Sequence, residues 1–452
     1  MDENYENKLN EELSNLLEKK YFGQLRERLS DLPPADAAEF LETLPEKEML
    51  MVFRALRKEA AADAFSYLDP EIQEQLITTI TEKEASAIID ELAVDDAVDA
   101  LDELPANVVK RLLQNTSPET RQVINEFLNY PADSAGSIMT SEMVHLKKEM
   151  TVAEAFERIR QVGLDSETVY TCYVTDANRR MEGVVTVREL FLADLDVKIG
   201  EIMDEDVIHA HTSDNQEDVA QLISRYDFLS LPVVDQEDRL VGIVTVDDII
   251  DVIQEENTED FEKMAAMRPS QKAYLKTGVF EIARNRTPWL MILMITAMFT
   301  GAIIGHFEES LLLLPVLATF IPMLMDTGGN SGSQSATMVI RGMALGDIEN
   351  KDLMKILWKE ARVSMLVGAS LAIVNFIRLL FNADVSHLVN IVVSLTLIAT
   401  VVMANILGGM LPMIAKLLKT DPAIMASPLI TTIVDVSSLI VFFNLARIML
   451  RL

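Results

Sequence analysis

A single acid interrupts a long apolar stretch near the end of the chain. Asp435 sits in the middle of SPLITTIVDVSSLIVFF. A carboxylate at membrane depth is costly, so such a residue is read by default as part of a path for ions or protons. Ser427, Thr431, Asp435 and Ser438 are spaced 4, 4 and 3, which sets them on one helix face. A polar stripe on an apolar helix suits the wall of a pore. The plainer reading is an Asp that pairs with an Arg or caps another helix, but no apolar run carries an Arg at comparable depth.

A second chemical segment is PMLMDTGGNSGSQSATMVIRG, Pro322–Gly342. Gly328, Gly329 and Gly332 let backbones approach closely and let carbonyls face a lumen, and irregular backbone at membrane depth is tolerated only beside a cavity or inside protein. Asn330, Ser331, Ser333 and Gln334 add the oxygen dipoles that hard cations prefer. Tight helix packing through small residues explains the same glycines, and local chemistry leaves the two readings open. Asn405, Gly408, Gly409 and Pro412 in the next-to-last apolar run kink that helix or line the same path.

A third group is acidic and lies outside the apolar runs. Asp95, Asp99 and Asp102 are spaced 4 and 3 on one helix face. Asp227, Asp247, Asp248 and Asp251 form a further set, followed by Glu255, Glu256, Glu259 and Asp260. Such groups repel one another unless a cation lies between them; the bland alternative is a solvated, solubilising surface. From Gln271 onward 14 Lys/Arg stand against 11 Asp/Glu, a balance of +3, which leaves -35 for residues 1–270 of the total -32. Nucleic acid is excluded as a partner by that repulsion, and divalent cations are the natural counterions. The five His are scattered and Cys172 is the only cysteine, so neither a His/Cys metal cluster nor a disulfide is expected. No nucleophile–base pair and no Walker motif is found, so the chain is not expected to be an enzyme.

The elements that must position these residues fall into blocks. In residues 1–130, Leu32, Leu44, Leu56, Leu68, Ile80, Leu92 and Leu104 recur every 12 residues. Ala37, Met49, Ala61, Ala85 and Ala97 recur inside the units, and Pro33, Pro45, Pro70 and Pro105 open them. One short helix per unit, stacked on its neighbours, makes an acidic helical-repeat domain. Residues 131–198 and 199–252 then alternate helix and strand as two similar halves. Ile138-Met139-Thr140 recurs as Ile202-Met203-Asp204, and EGVVTVREL recurs as VGIVTVDDI. This order resembles a tandem pair of CBS modules, an α/β fold. Residues 253–287 are a polar helical connector whose charge turns from acidic to basic. Residues 288–452 hold five apolar runs, near Pro288–His306, Leu311–Met325, Val363–Phe381, Leu388–Ala415 and Ala423–Leu450. A span takes about 20 apolar residues, so the second is short unless it continues through the glycines. The loop from Arg341 to Arg362 and the AKLLKT turn are basic and belong in the cytoplasm; HFEES and NADVSH lack Lys and Arg and belong outside. The polar, acidic start MDENYENKLNEEL is not a signal peptide, so the soluble part is expected to stay in the cytoplasm.

Taken together, these blocks resemble the MgtE-type magnesium channels and transporters. The likeness covers nearly the whole chain. It rests on Pro322…Gly329-Asn330…Gln334 and on Asp421-Pro422-Ala423…Pro428…Thr431-Thr432…Asp435. The resemblance implies a multi-pass protein of the plasma (inner) membrane, a homodimer in the lipid bilayer with its pore between subunits, and five transmembrane helices. It implies Mg²⁺ as substrate and regulatory ligand. Asp435 matches the family's ion-coordinating acid, with Thr431, Asn330, Gly328 and Gly329 beside it, and with Ser427 where some members carry Asn. By the same resemblance Asp95, Asp99, Asp227, Asp248, Asp251, Glu255, Glu259 and Asp260 meet across cytoplasmic Mg²⁺, and the connector is a plug helix that closes the pore. CBS modules often bind adenosine nucleotides, which would set Arg188, Thr245 and Asp248 against the phosphate and ribose of ATP, Asp248 being shared with Mg²⁺. Oxygen ligands favour Mg²⁺ over Co²⁺, Ni²⁺ or Mn²⁺. A transporter of those ions, or a membrane-anchored nucleotide sensor without transport, are the competing readings.

Overall fold

The computed structural model describes residues 3–102, 104–164, 166–270, 274–275, 277–382, 385–425 and 427–451, with the side chains of residues 3–7 and of Ser427 left aside. It divides into two compact units, Met1–Val252 and Ile253–Leu452.

The first unit opens with ten helices: α1 Glu3–Glu18, α2 Phe22–Ser30, α3 Pro34–Thr43, α4 Glu46–Ala55, α5 Lys58–Ser66, α6 Pro70–Thr79, α7 Glu82–Ile89, α8 Val94–Asp102, α9 Ala106–Asn115 and α10 Pro118–Phe127. From α3 onward each 12-residue repeat is one helix. Leu44, Leu56 and Ile80 are extended C-caps. Pro33, Pro45 and Pro105 are N-caps, and Pro70 lies in the first turn of α6, where its missing N–H costs nothing. Alternate helices stack: α3 on α5, α5 on α7, α7 on α9, and α6 on α8, α8 on α10. Ala37, Met49, Ala61, Ala85 and Ala97 are all buried in that stack.

Two three-stranded sheets follow in the same unit. The first holds β1 Met143–Leu146, β2 Thr168–Thr175 and β3 Met181–Thr186, with α11 Val152–Val162 and α12 Val187–Leu192. After the short helix α13 Ile199–Ile202 come β4 Ala210–His211, α14 Gln216–Tyr226, β5 Ser230–Val234, β6 Leu240–Thr245 and α15 Val246–Met264, of which the residues from Ile253 on belong to the second unit. In each sheet the first strand runs parallel and the third antiparallel to the middle one. The repeated Ile-Met segments cross over. Thr140 bridges Ile243 of β6, while Asp204 bridges Val184 of β3. Glycine is required at both crossings. A β-carbon on Gly242 would meet the Met139 Sδ at 2.7 Å, and one on Gly183 would meet the Met203 Sδ at 2.8 Å. The two halves are further joined by a buried 2.7 Å bond between the Tyr173 and Ser230 hydroxyls.

The second unit is helical: α16 Val279–His306, α17 Glu308–Leu313, a 3-10 turn Pro315–Phe320, α18 Ile321–Ala344, α19 Leu353–Leu380, α20 His387–Leu417, a 3-10 turn Pro422–Met425 and α21 Ser427–Leu450. Among the described residues, four helical stretches are long and apolar enough to span a membrane: Val279–His306, Asn350–Leu380, His387–Leu417 and Pro422–Leu450. Helix α16 buries no residue, and Leu290, Met294 and Phe299 among others stand exposed on it, as a lipid-facing helix requires. The second apolar run, Leu311–Met325, does not form one helix, and its alternative, continuation through the glycines, is what the structure shows. Pro315 breaks it into a 3-10 turn, and the continuous helix starts at Ile321, with Pro322 in its first turn. That helix then runs through Gly328, Gly329 and Gly332 without interruption.

Candidate metal-binding sites

Helices α18, α20 and α21 pack against one another, and glycine sets how closely. A β-carbon on Gly328 would lie 2.6 Å from the Thr400 Cγ2 and 2.7 Å from the Val434 Cγ1. One on Gly329 would lie 2.2 Å from the Thr431 Cγ2, and one on Gly332 would lie 2.7 Å from the Ile430 Cγ2. Of the two readings the sequence left open, the structure favours packing: in a continuous α-helix the carbonyls are engaged along the helix, and the glycines seat α18 against its neighbours. The Ser331 hydroxyl is spent the same way, donating to the Asn405 Oδ1 at 2.5 Å, while the Ser335 hydroxyl donates to the Asn405 carbonyl at 3.0 Å.

What these helices leave open is a line of polar groups. Asp435 is half-buried on α21, and the charged group that acts on it is Asp326 of α18. Asp326 was not singled out from the sequence. Its signal was available: an acid in a membrane-depth segment, four residues before Asn330. The Asn330 amide donates to the Asp326 Oδ1 at 3.1 Å, and both residues are exposed on this chain. Thr431 lies half-buried one turn before Asp435, against Gly329. Ser438 departs from the expected stripe. It is fully buried and its hydroxyl donates to the backbone carbonyl of Asp435. The side chain of Ser427 lies outside the described residues.

Several acids of the first unit act on one another electrostatically. Helix α8 starts at Val94, so Asp95 and Asp96 occupy its first turn. Burial pushes Asp95 up to about 8, helped by the Asp248, Asp96 and Glu167 carboxylates. Burial and Asp248 push Asp96 up to about 6. Asp248 and Glu167 are both raised, first by burial. The Asp95 Oδ1 is buried and has no hydrogen-bond partner. A buried carboxylate oxygen without a donor, within electrostatic reach of other carboxylates, suits a hard dication of the Mg²⁺ type, which takes oxygen ligands. The sequence reading named Asp95 and Asp248 and missed Asp96 and Glu167. Asp99 lies exposed on α8. Asp251 acts electrostatically on Asp248. Asp227 is the left-handed C-cap of α14, with φ 55°, a position Asp tolerates better than most residues.

Asp248 also has a local task. The Thr245 hydroxyl donates to its Oδ2 at 2.5 Å at the start of α15. The matching pair in the first sheet is Thr186 and Glu189, a capping box on α12, beside which Arg188 stands exposed. Arg188, the candidate for phosphate, therefore lies on a different sheet's helix from Thr245 and Asp248.

In the second unit, Lys263 in the last turn of α15 gathers acids. Its Nζ is 2.6 Å from the Asp421 Oδ2 and 2.5 Å from the Glu259 Oε1. Burial and then Asp421 push Asp260 up to about 6, against the pull of Lys263. Glu255 is exposed on the same helix.

One expectation is overturned. The histidines are not all scattered: His209, His211 and Asp238 bring one potential ligand atom each to within 4.8 Å of one another. The signal was the His-Ala-His spacing, which puts both imidazoles on one face of a strand.

Membrane-length helices, an acid pair between them and a buried carboxylate cluster define a cation-transporting membrane protein. Sequence comparison agrees. The family described as MgtE, Divalent cation transporter, matches residues 321–445; the MgtE intracellular N domain matches 32–133, and CBS domains match 135–196 and 199–255. The chain is 38% identical over 449 residues to "Magnesium transporter MgtE" of Thermus thermophilus, covering 99% of both chains, and 32% identical to that of Bacillus subtilis, covering 93% of both. Two solved structures are similar to its first half. One is the soluble part of a magnesium transporter (34% identity, TM-score 0.54, 56% of this chain and 99% of that one). The other is the cytosolic domain of the Mg²⁺ channel MgtE in complex with ATP (38% identity, TM-score 0.51, 53% of this chain and 98% of that one). The chain belongs to the MgtE family.

Proposed function

We propose that this protein passes Mg²⁺ down its electrochemical gradient through the membrane, as a homodimer with α16, α18, α19, α20 and α21 as five spans. The observation that carries the reading is Asp435, an acid half-buried in a membrane-length helix, with Asp326 and Asn330 on the helix packed against it. Mg²⁺ gives up its water reluctantly and keeps an octahedral shell. Paired Asp435 carboxylates of two subunits would hold the hydrated ion through those waters, with Thr431 and Asn330 adding oxygen dipoles. Gly328 and Gly329 contribute by setting the distance between α18 and α21. Imidazole and thiolate are missing from the described parts of these helices apart from His306 and His387 at their ends, which favours Mg²⁺ over Co²⁺ or Ni²⁺.

Control falls to the cytoplasmic acids. At high Mg²⁺, ions bound at Asp95, Asp96 and Asp248 neutralise a cluster that otherwise repels itself, and the later part of α15, held to Asp421 by Lys263, acts as the plug. Each weak site shifts the balance by its preference for the closed state, so the response is graded. The cytosolic domain of a similar Mg²⁺ channel is known in complex with ATP; ATP bound at the CBS pair of this chain would adjust that balance through Asp248. The deciding experiment is Mg²⁺ flux into liposomes holding wild-type protein or Asp435→Asn, with Mg²⁺ as the only permeant cation. Wild-type flux that survives in the variant rejects the proposal; in parallel liposomes offered Co²⁺ or Ni²⁺ instead of Mg²⁺, flux of those ions where Mg²⁺ gives none favours the other-ion reading.

A further inference from the structure

We infer that His209, His211 and Asp238 form a binding site for a first-row transition-metal dication, of which Zn²⁺ is the natural probe, distinct from the Mg²⁺ path and from the carboxylate cluster. The three ligand atoms lie within 4.8 Å of one another, close enough to share one ion. Their placement is built by the fold. His211 lies in β4, which pairs with β5 through Ala210–Val233 and His211–Val234, and His209 immediately precedes it, its ring edge to face with that of His211. The turn from β5 to β6 then returns Asp238 beside them. The Asp235 carboxylate accepts the Glu237 N–H at 2.8 Å and the Arg239 N–H at 2.9 Å, which holds that turn, and Asp238 sits at its left-handed position with φ 59°.

The imidazoles are also oriented. The two rings meet edge to face, 5.5 Å between centroids. The His209 Nδ1 is 3.1 Å from the Val207 carbonyl oxygen. A carbonyl can only accept, so Nδ1 carries the proton and Nε2 keeps its lone pair free. This backbone bond is the outer-shell contact that metal-ligating histidines usually make. Two imidazoles and one carboxylate, with water completing the shell, suit Zn²⁺, Co²⁺ or Ni²⁺ and not Mg²⁺, which takes oxygen ligands. The site is placed to matter. The Asp238 carbonyl accepts the Met181 N–H at 3.2 Å, and the Leu240 N–H donates to the Arg179 carbonyl at 2.9 Å, so the liganding turn is bonded to the other CBS module. An ion there ties β4 to the seam between the modules.

The test uses the untagged full-length protein, purified in detergent and stripped of metal. Zn²⁺ is titrated against a chromophoric chelator with Mg²⁺ present in excess, and Co²⁺ is followed by its visible absorption. One Zn²⁺ per chain and cobalt bands in the wild type are expected. His209→Gln with His211→Gln should weaken Zn²⁺ by at least about ten-fold, since loss of even an outer-shell partner has that effect. Asp238→Asn, at an exposed turn, should weaken it while the fold is kept, which guards against a misfolded double variant. Failure of Zn²⁺ to bind beside Mg²⁺, or equal binding by wild type and all variants, overturns the inference.

Discussion

Lys263, in the last turn of α15, holds Asp421 at 2.6 Å, immediately before the turn that leads into α21. The pair joins the helix proposed as plug to the helix that carries Asp435. Replacing Lys263 with Met removes the cation and leaves Glu259, Asp260 and Asp421 to repel. The variant should need more Mg²⁺ to close, by several-fold, with selectivity unchanged. Mg²⁺ titration of single-channel open probability measures this; an unchanged closing concentration removes Lys263 from the gate.

Asp435→Asn and Asp326→Asn separate two roles. Asp435→Asn should abolish Mg²⁺ flux. Asp326→Asn keeps a hydrogen-bonding side chain next to Asn330 but removes a charge, so flux should fall by about ten-fold or less while the folded protein persists. Reconstituted flux, normalised to the yield of folded protein, distinguishes them. Equal flux by Asp326→Asn and wild type would exclude Asp326 from the path.

Packing in the membrane unit sets a third expectation. A β-carbon on Gly408 would fall 2.2 Å from the Gly332 carbonyl oxygen, backbone against backbone. Gly408→Ala should therefore destabilise the protein by about 1–3 kcal/mol, the usual cost of overpacking. Gly301→Ala, inside α16, meets nothing within 4 Å in this chain and should not destabilise, gaining up to about 1 kcal/mol from helix propensity. Thermal unfolding in detergent compares the two.

The carboxylate cluster predicts a pH dependence with a definite sign. Asp95 is pushed up to about 8 from an ordinary value of 3.8, and Asp96 up to about 6. Between about pH 4 and pH 8 the folded chain thus holds more protons than the unfolded one, so stability without divalent cations falls as pH rises through that window. Mg²⁺ should offset the loss, most strongly near pH 8, where the carboxylates are ionised. Asp95→Asn should raise the metal-free stability at pH 8 by at least about 1 kcal/mol and reduce the Mg²⁺ effect. Protease resistance of the full-length protein, measured with and without Mg²⁺ across pH, tests both statements. A metal-free stability that rises toward pH 8 would contradict the electrostatics.

Much of this was legible in the chain itself. The 12-residue leucine repeat marks one helix per unit because a short helix and corner consume that many residues. The two copies of the Ile-Met and Gly-Val-Thr segments mark two similar sheets, and long apolar runs mark membrane helices because backbone at that depth must bond within itself. Asp435 stood out because a charge among apolar residues needs a reason. Periodicity carries no distance between segments far apart in sequence, and there the tertiary structure decided. It made the glycine run a continuous helix, whose glycines seat it against α20 and α21. It set Asp326 within electrostatic reach of Asp435, and Asp96 and Glu167 within reach of Asp95 and Asp248, residues that span well over half of the first unit's sequence. It joined His209 and His211 to Asp238 through the pairing of β4, β5 and β6. Local pattern reports which face a residue takes on its own helix or strand. Which side chains share a space depends on how those faces pack, and that is set by the whole fold.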